Sequence, residues 1–142
     1  MTSSKLDNLV RIGQLNKETG TQAEFNGLLS SGRNRLDDAR NKTNSLESRF
    51  DLAYNAAHAF CLAVLRWHGY RSNHRYTVFQ SLPHTLDLNA STWRVLAKAH
   101  EHRNIAEYEG HLEVDEQLLF DLINAAEKVY SSAIAFGPVL DE

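Results

Sequence analysis

A single cysteine, Cys61, excludes an internal disulfide framework and any zinc knuckle built on cysteine. Two prolines and seven glycines in 142 residues are too few for the many tight turns of a small sandwich or barrel. No apolar run approaches the roughly 18 residues of a membrane span, and the start MTSSKLDNLV has no apolar signal core. The expectation is therefore a single mostly helical domain, soluble and cytoplasmic, making no use of a membrane. The formal charge of −3 lacks the surplus of Lys and Arg needed to coat nucleic acid non-specifically. Hydrophobic residues make up 42%, enough to bury a core.

The charge is unevenly spread. From Arg66 to Arg103 six basic residues (Arg66, Arg71, Arg75, Arg94, Lys98, Arg103) face two acidic ones, with five histidines interleaved. Glu107, Glu109, Glu113, Asp115 and Glu116 then reverse the sign. A mixed solvated surface explains such a pattern, and so does a local anion site that includes Arg71 and Arg75.

Apolar spacing predicts a short helix from about Ser4 to Leu15, carried by Leu6, Leu9, Val10 and Ile12. Thr21 and Glu24 have capping-box spacing and open a second helix to about residue 41, with a kink expected near Ser30-Ser31-Gly32. Asn44 and Glu47 repeat that spacing ahead of the alanine-rich helix that ends at Gly69. Pro83 limits any helix in the piece Tyr76–Leu82. Ser91 or Thr92 can cap a helix from Trp93 to Glu109, stopped by Gly110. Asp115 and Glu116 suit the first turn of a last helix, whose apolar residues fall within an arc of about 160°. These elements predict an all-α fold: an up-and-down bundle of four main helices plus short N-terminal and connecting helices. Its core covers about 45–136, and an N-terminal extension covers about 4–41.

Several sites are excluded by spacing. There is no phosphate loop, dinucleotide fingerprint, nucleophile elbow or H-E-x-x-H, and no glutamate has a histidine three positions on. His58 and Cys61 have ligand spacing but lie in an apolar stretch where packing is the expected role, so no metal or cofactor is expected. The helix WRVLAKAHEHRNIAEYEG is the informative one. With Trp93 at the origin, its apolar arc centres near about 300°, and Arg103, Glu107 and His100 fall at roughly 280°, 320° and 340°. Asn104 and Tyr108 follow at about 20° and 60°. Charges aimed at a core or interface cost free energy unless they are paired. An Arg103–Glu107 pair, or a helix end that projects beyond the bundle, would answer that cost without any function. The functional reading is an Arg, His, Asn and Tyr cluster facing a cleft or a second subunit.

The segment RNIAEYEG, late in a helical domain and preceded by DLAYNAAHAFCLAVLRWHGYRSNHRYTVFQSL, resembles the HEPN superfamily (higher eukaryotes and prokaryotes nucleotide-binding). The likeness covers roughly Ser45 to Tyr130. It implies a helical bundle that dimerises with the family motif of each chain near the two-fold interface. It also implies one of two roles: a metal-independent ribonuclease with an Arg-x(4–6)-His motif, or a non-catalytic partner of a nucleotidyltransferase in a toxin–antitoxin or defence module. Arg103 and Asn104 match the start of that motif. Tyr108 stands where the histidine falls after four intervening residues, and His111 follows after seven, beyond Gly110. A tyrosine of ordinary pKa is protonated at neutral pH and is a poor base, although it can stack on a nucleobase or accept a modification from such a partner. His100 points with Arg103 and is the candidate replacement imidazole; His102 points elsewhere. The expected function is a dimeric domain that binds RNA, a nucleotide or a protein partner through Arg103, Asn104 and Tyr108, with Glu107, Arg71, Arg75 and His111 as further contacts. A divergent endoribonuclease using Arg103 and His100, and a non-catalytic helical adaptor, are the alternatives.

Overall fold

The computed structural model describes residues 4–86, 88–110 and 114–139, the side chain of Glu107 excepted. It is an all-α bundle. Helix α1 (Ser4–Arg11) is shorter than its apolar pattern predicts, because the chain turns out at Gly13 and continues as an extended segment. That segment forms strand β1 (Asn16–Lys17), which pairs antiparallel with β2 (Tyr70–Arg71). This two-residue pairing joins positions far apart in sequence, and no local pattern announces it.

Helix α2 (Gln22–Ala39) opens as its spacing predicts, with the Thr21 hydroxyl accepting from the Glu24 amide at 3.1 Å. It runs unbroken through Ser30 and Ser31. Gly32 there faces the Phe60 ring, so the glycine serves close helix approach rather than a kink. Helix α3 (Leu46–Trp67) is capped by Ser45, one residue later than expected, and stops before Gly69, whose φ is +88°. Its buried residues cover most of its circumference, from Phe50 through the alanine run to Leu65, which makes it the central helix against α2 and against α6 (Glu116–Ala133).

Helix α4 (Arg75–Gln80) is a short segment that the Leu82–His84 3-10 turn with Pro83 brings to an end. Helix α5 (Ala90–Glu109) begins at Asn89, whose side chain accepts from the Thr92 amide; of the three capping residues Asn89, Ser91 and Thr92, the first one caps the helix. Gly110, with φ +78°, stops it. Asp115 caps α6 through the Leu118 amide at 2.6 Å.

The N-terminal extension is part of the core. Leu6, Leu15, Phe25, Leu29 and Leu36 belong to the same buried cluster as Phe50, Phe60, Leu96, Leu122 and Val129. Arg66, only 3% exposed, ties this layer down. It donates to Glu24 Oε1 at 3.0 Å and to the backbone oxygens of Glu18, Thr19 and Tyr70. On the opposite flank Arg33 and Arg40 both donate to Glu127, linking α2 to α6. Among the described residues, no helix is long and apolar enough to cross a membrane.

Candidate functional site

Two helix stripes face each other across one edge of the bundle. On α3, Asp51, Tyr54, Asn55 and His58 recur at three- and four-residue steps, which places them on one face. On α5, Leu96, His100, Arg103 and Asn104 do the same. Helix α4 lies against both and contributes Arg75, Tyr76 and Phe79.

At the centre is the buried ring of Tyr54, 2% exposed. Its hydroxyl is 2.9 Å from His100 Nδ1, and the other imidazole nitrogen, Nε2, is 3.1 Å from Asn104 Nδ2. The two contacts admit two neutral tautomers: the ring proton on Nδ1, donated to the Tyr54 oxygen, with the Asn104 amide donating to Nε2, or the Tyr54 hydroxyl donating to Nδ1 with the proton on Nε2. The imidazole is further boxed by the rings of Tyr54, Tyr76 and Phe79, with centroids 6.3, 5.5 and 6.0 Å away. His100 is therefore held at both nitrogens and on its faces, so its orientation is fixed before anything binds.

Two guanidinium groups border the same tyrosine. Arg75 Cζ is 5.5 Å from the Tyr54 ring centroid and Arg103 Cζ is 6.0 Å from it, within cation–π range. Arg75 donates to Asn55 Oδ1 at 3.0 Å. Arg103 Nε lies 3.0 Å from Asp51 Oδ1, an ion contact whose angle misses hydrogen-bond alignment. Both partners are about a third or more exposed, so the pair contributes at most about 1 kcal/mol to stability. His58 sits behind, edge-on to Phe79 at 5.8 Å. Burial, followed by the neighbouring Arg75 and His100, pushes its pKa down to about 4, so this imidazole is neutral at pH 7.

The structure thus brings together Arg103, His100, Asn104 and Arg75 from the sequence candidates. It leaves others apart. Tyr108, one turn beyond Asn104 at the end of α5, is 93% exposed, and Ile105 is 47% exposed. The end of α5 projects, which was one of the readings that required no function. Arg71 is taken up by the N-terminal segment, pairing with Glu18 and Glu24 at 2.7 Å each. Glu107 lies in α5, but its side chain, like the whole of His111, is outside the described residues. Arg103 is paired across to α3 through Asp51. His102 turns its Nδ1 to the Lys98 carbonyl at 3.1 Å, pointing away as expected. Cys61 is fully buried with its thiol pKa pushed up by burial, and packs as expected.

The α3 and α4 members, Asp51, Tyr54, Asn55, Tyr76 and Phe79, were missed by sequence reasoning. Their available signal was a polar stripe, Asp51, Asn55 and His58, within an otherwise apolar helix. Among the described residues, no three His, Cys, Asp or Glu side chains are grouped to hold a metal ion. No family model, curated protein or solved structure matches this chain.

Proposed function

We propose that this chain is a HEPN-like domain that binds RNA along the α3–α4–α5 edge. Arg75 and Arg103 hold a backbone phosphate, and the half-exposed Tyr76 ring is offered to a base. The carrying observation is the pair of guanidinium groups bordering one tyrosine ring at 5.5 and 6.0 Å, with an oriented imidazole between the same elements. Arginine suits this role because its planar fork matches phosphate oxygens, and each of these two has few protein acceptors. The phosphate must share Arg103 with Asp51, an exchange that costs little at a partly exposed pair. Homodimerisation, and a nucleotidyltransferase or antitoxin partner within a toxin–antitoxin or defence module, belong to the same proposal and rest on the resemblance of RNIAEYEG.

A second reading is favoured by His100 itself. Internal RNA cleavage needs a proton acceptor near neutral pH beside a cation that meets the phosphorane charge. His100 Nε2 is the candidate for that role once a substrate displaces the exposed Asn104 amide. Incubating the protein with total RNA and labelled tRNA in EDTA separates the readings, with Arg103→Ala and His100→Ala alongside. Retained RNA binding without cleavage, weakened at least tenfold by Arg103→Ala, supports the binding domain. Cleavage abolished by both substitutions makes the protein a metal-independent ribonuclease. A folded protein that neither binds nor cleaves RNA overturns both.

A further inference from the structure

A second site lies on the opposite side of α3. Arg49 and Asp51 are two positions apart on that helix, hence about 200° around its axis, so Arg49 faces away from the RNA edge. It borders a cavity of about 380 Å³ between the end of α2, the start of α3 and the start of α6. That volume is within the roughly 300–1,000 Å³ typical of small-molecule sites. Its apolar wall is Leu119, Phe120 and Ile123; Phe120 is 61% exposed, a large ring left in water at the mouth of a pocket. Its polar rim carries three cations, Arg40, Lys42 and Arg49, against one carboxylate, Glu116.

The cations are not equivalent. Arg40 is held by Glu127 Oε1 at 2.6 Å. Arg49 is fixed through Nε, which donates to the Ala39 carbonyl at 2.7 Å, leaving its terminal nitrogens with no acceptor among the described residues. Lys42 is exposed and meets no carboxylate among the described residues. An oriented guanidinium and an exposed ammonium over an aromatic and aliphatic wall match one ligand chemistry, a flat apolar body carrying one carboxylate.

We propose that this cavity binds a small aromatic carboxylate, its ring against Phe120 and Ile123 and its carboxylate on Arg49 and Lys42. The probes are 2-naphthoate and its neutral isostere 2-naphthamide, titrated by calorimetry into the full-length chain at low salt. The expected result is saturable one-to-one binding of 2-naphthoate at least tenfold tighter than the amide. Binding should weaken severalfold in Lys42→Gln, whose side chain is exposed, and about tenfold in Arg49→Gln and Phe120→Ser, with Arg103→Ala unchanged. Equal affinity for acid and amide overturns the proposal, as does binding indifferent to Lys42→Gln and Arg49→Gln, or no saturable binding at millimolar probe. The Lys42→Gln arm keeps the test decisive if Arg49→Gln unfolds the chain through loss of the Ala39 contact.

Discussion

Two glycines in α2 should respond to the same substitution with opposite sign. A Cβ added at Gly32 would lie 2.4 Å from Phe60 Cε1 and 2.8 Å from Cδ1, where carbon atoms normally stay about 3.5–4.0 Å apart. The ring must therefore shift by about 1 Å, yet Phe60 is fully buried and its other neighbour, Tyr130, packs at 5.0 Å between centroids. Overpacking of this kind costs about 1–3 kcal/mol. Alanine in a helix interior returns about 0.5–1 kcal/mol relative to glycine, so Gly32→Ala should destabilise on balance, by about 1 kcal/mol at mid-range and up to about 2.5 kcal/mol. At Gly27 the added Cβ meets nothing within 4 Å. Gly27→Ala should therefore stabilise by about 0.5–1 kcal/mol, close to the full helix-propensity gain. Urea unfolding followed by helical circular dichroism reads both, and the two variants should bracket the wild type with equal m-values. Phe60→Leu in the Gly32→Ala background should recover part of the loss, because the two sites share one contact. A Gly32→Ala protein as stable as wild type would refute the close-approach argument, and the fit of α2 against α3 with it.

Arg66→Met should destabilise by about 3–5 kcal/mol, since it strands three buried backbone oxygens and leaves Glu24 with Arg71 alone; the urea midpoint checks this. Acid should weaken the fold at the carboxylates. Burial alone would raise Glu24, but Arg66 and Arg71 outweigh it and hold the group below its ordinary 4.5, and the Arg33 hydrogen bond leads in lowering Glu127. Their contribution is complete above about pH 4.5 and is lost as pH falls through the folded-state values, so Glu127→Gln should flatten the acid limb of the stability curve. His58 acts earlier with the same outcome. Its folded pKa of about 4 lies below 6.5, so the unfolded chain takes up the proton first, and stability falls by about 2–3 kcal/mol between pH 6.5 and 4. His58→Gln should remove most of that slope in urea titrations at several pH values. Asp51→Asn should tighten RNA binding severalfold by freeing Arg103, whereas Arg103→Ala should weaken it across sequences and lower the salt slope by about 0.7; filter binding at several salt concentrations distinguishes them.

Legibility followed the physics of each element. Helix α6 was readable because its apolar residues form one stripe, and α5 gave up half the site because His100 and Arg103 sit on a face that is apolar at its N-terminal end. The α3 half was not readable. That helix is buried around most of its circumference, so periodicity does not single out the face carrying Asp51 and Tyr54. Arg71 shows the opposite failure. Its place in a basic run suggested an anion site, but Glu18 and Glu24, some fifty residues earlier, neutralise it through the β1–β2 pairing. Charge counted along a chain says nothing about partners that the fold delivers. Tyr108 was placed by spacing on the edge of the charged arc, and a helix that outruns its bundle leaves such a residue in water.

The arginines of this chain sort by how far the protein itself satisfies them. Each guanidinium carries five N–H donors. Arg66 spends its donors on the Glu24 and Glu18 carboxylates and three carbonyls while nearly excluded from water, and Arg33 bridges Asp37 and Glu127; both are staples of the fold. Arg75 makes one hydrogen bond, to Asn55, and Arg103 has a single misaligned ion contact, to Asp51. A fold that needed these two for stability would have saturated them in the same way, because an unsatisfied buried donor is expensive and acceptors abound on neighbouring helices. Instead they stand partly exposed beside one tyrosine ring and an imidazole locked at both nitrogens. Donor capacity left open next to a rigid, aromatic, positively charged edge suits a ligand that brings its own oxygens and negative charge. A phosphodiester supplies both, and a protein surface seldom supplies them without an accompanying cation. That asymmetry between saturated and unsaturated guanidinium groups is why the α3–α4–α5 edge, rather than the longer basic run around Arg71, is the place to look for RNA.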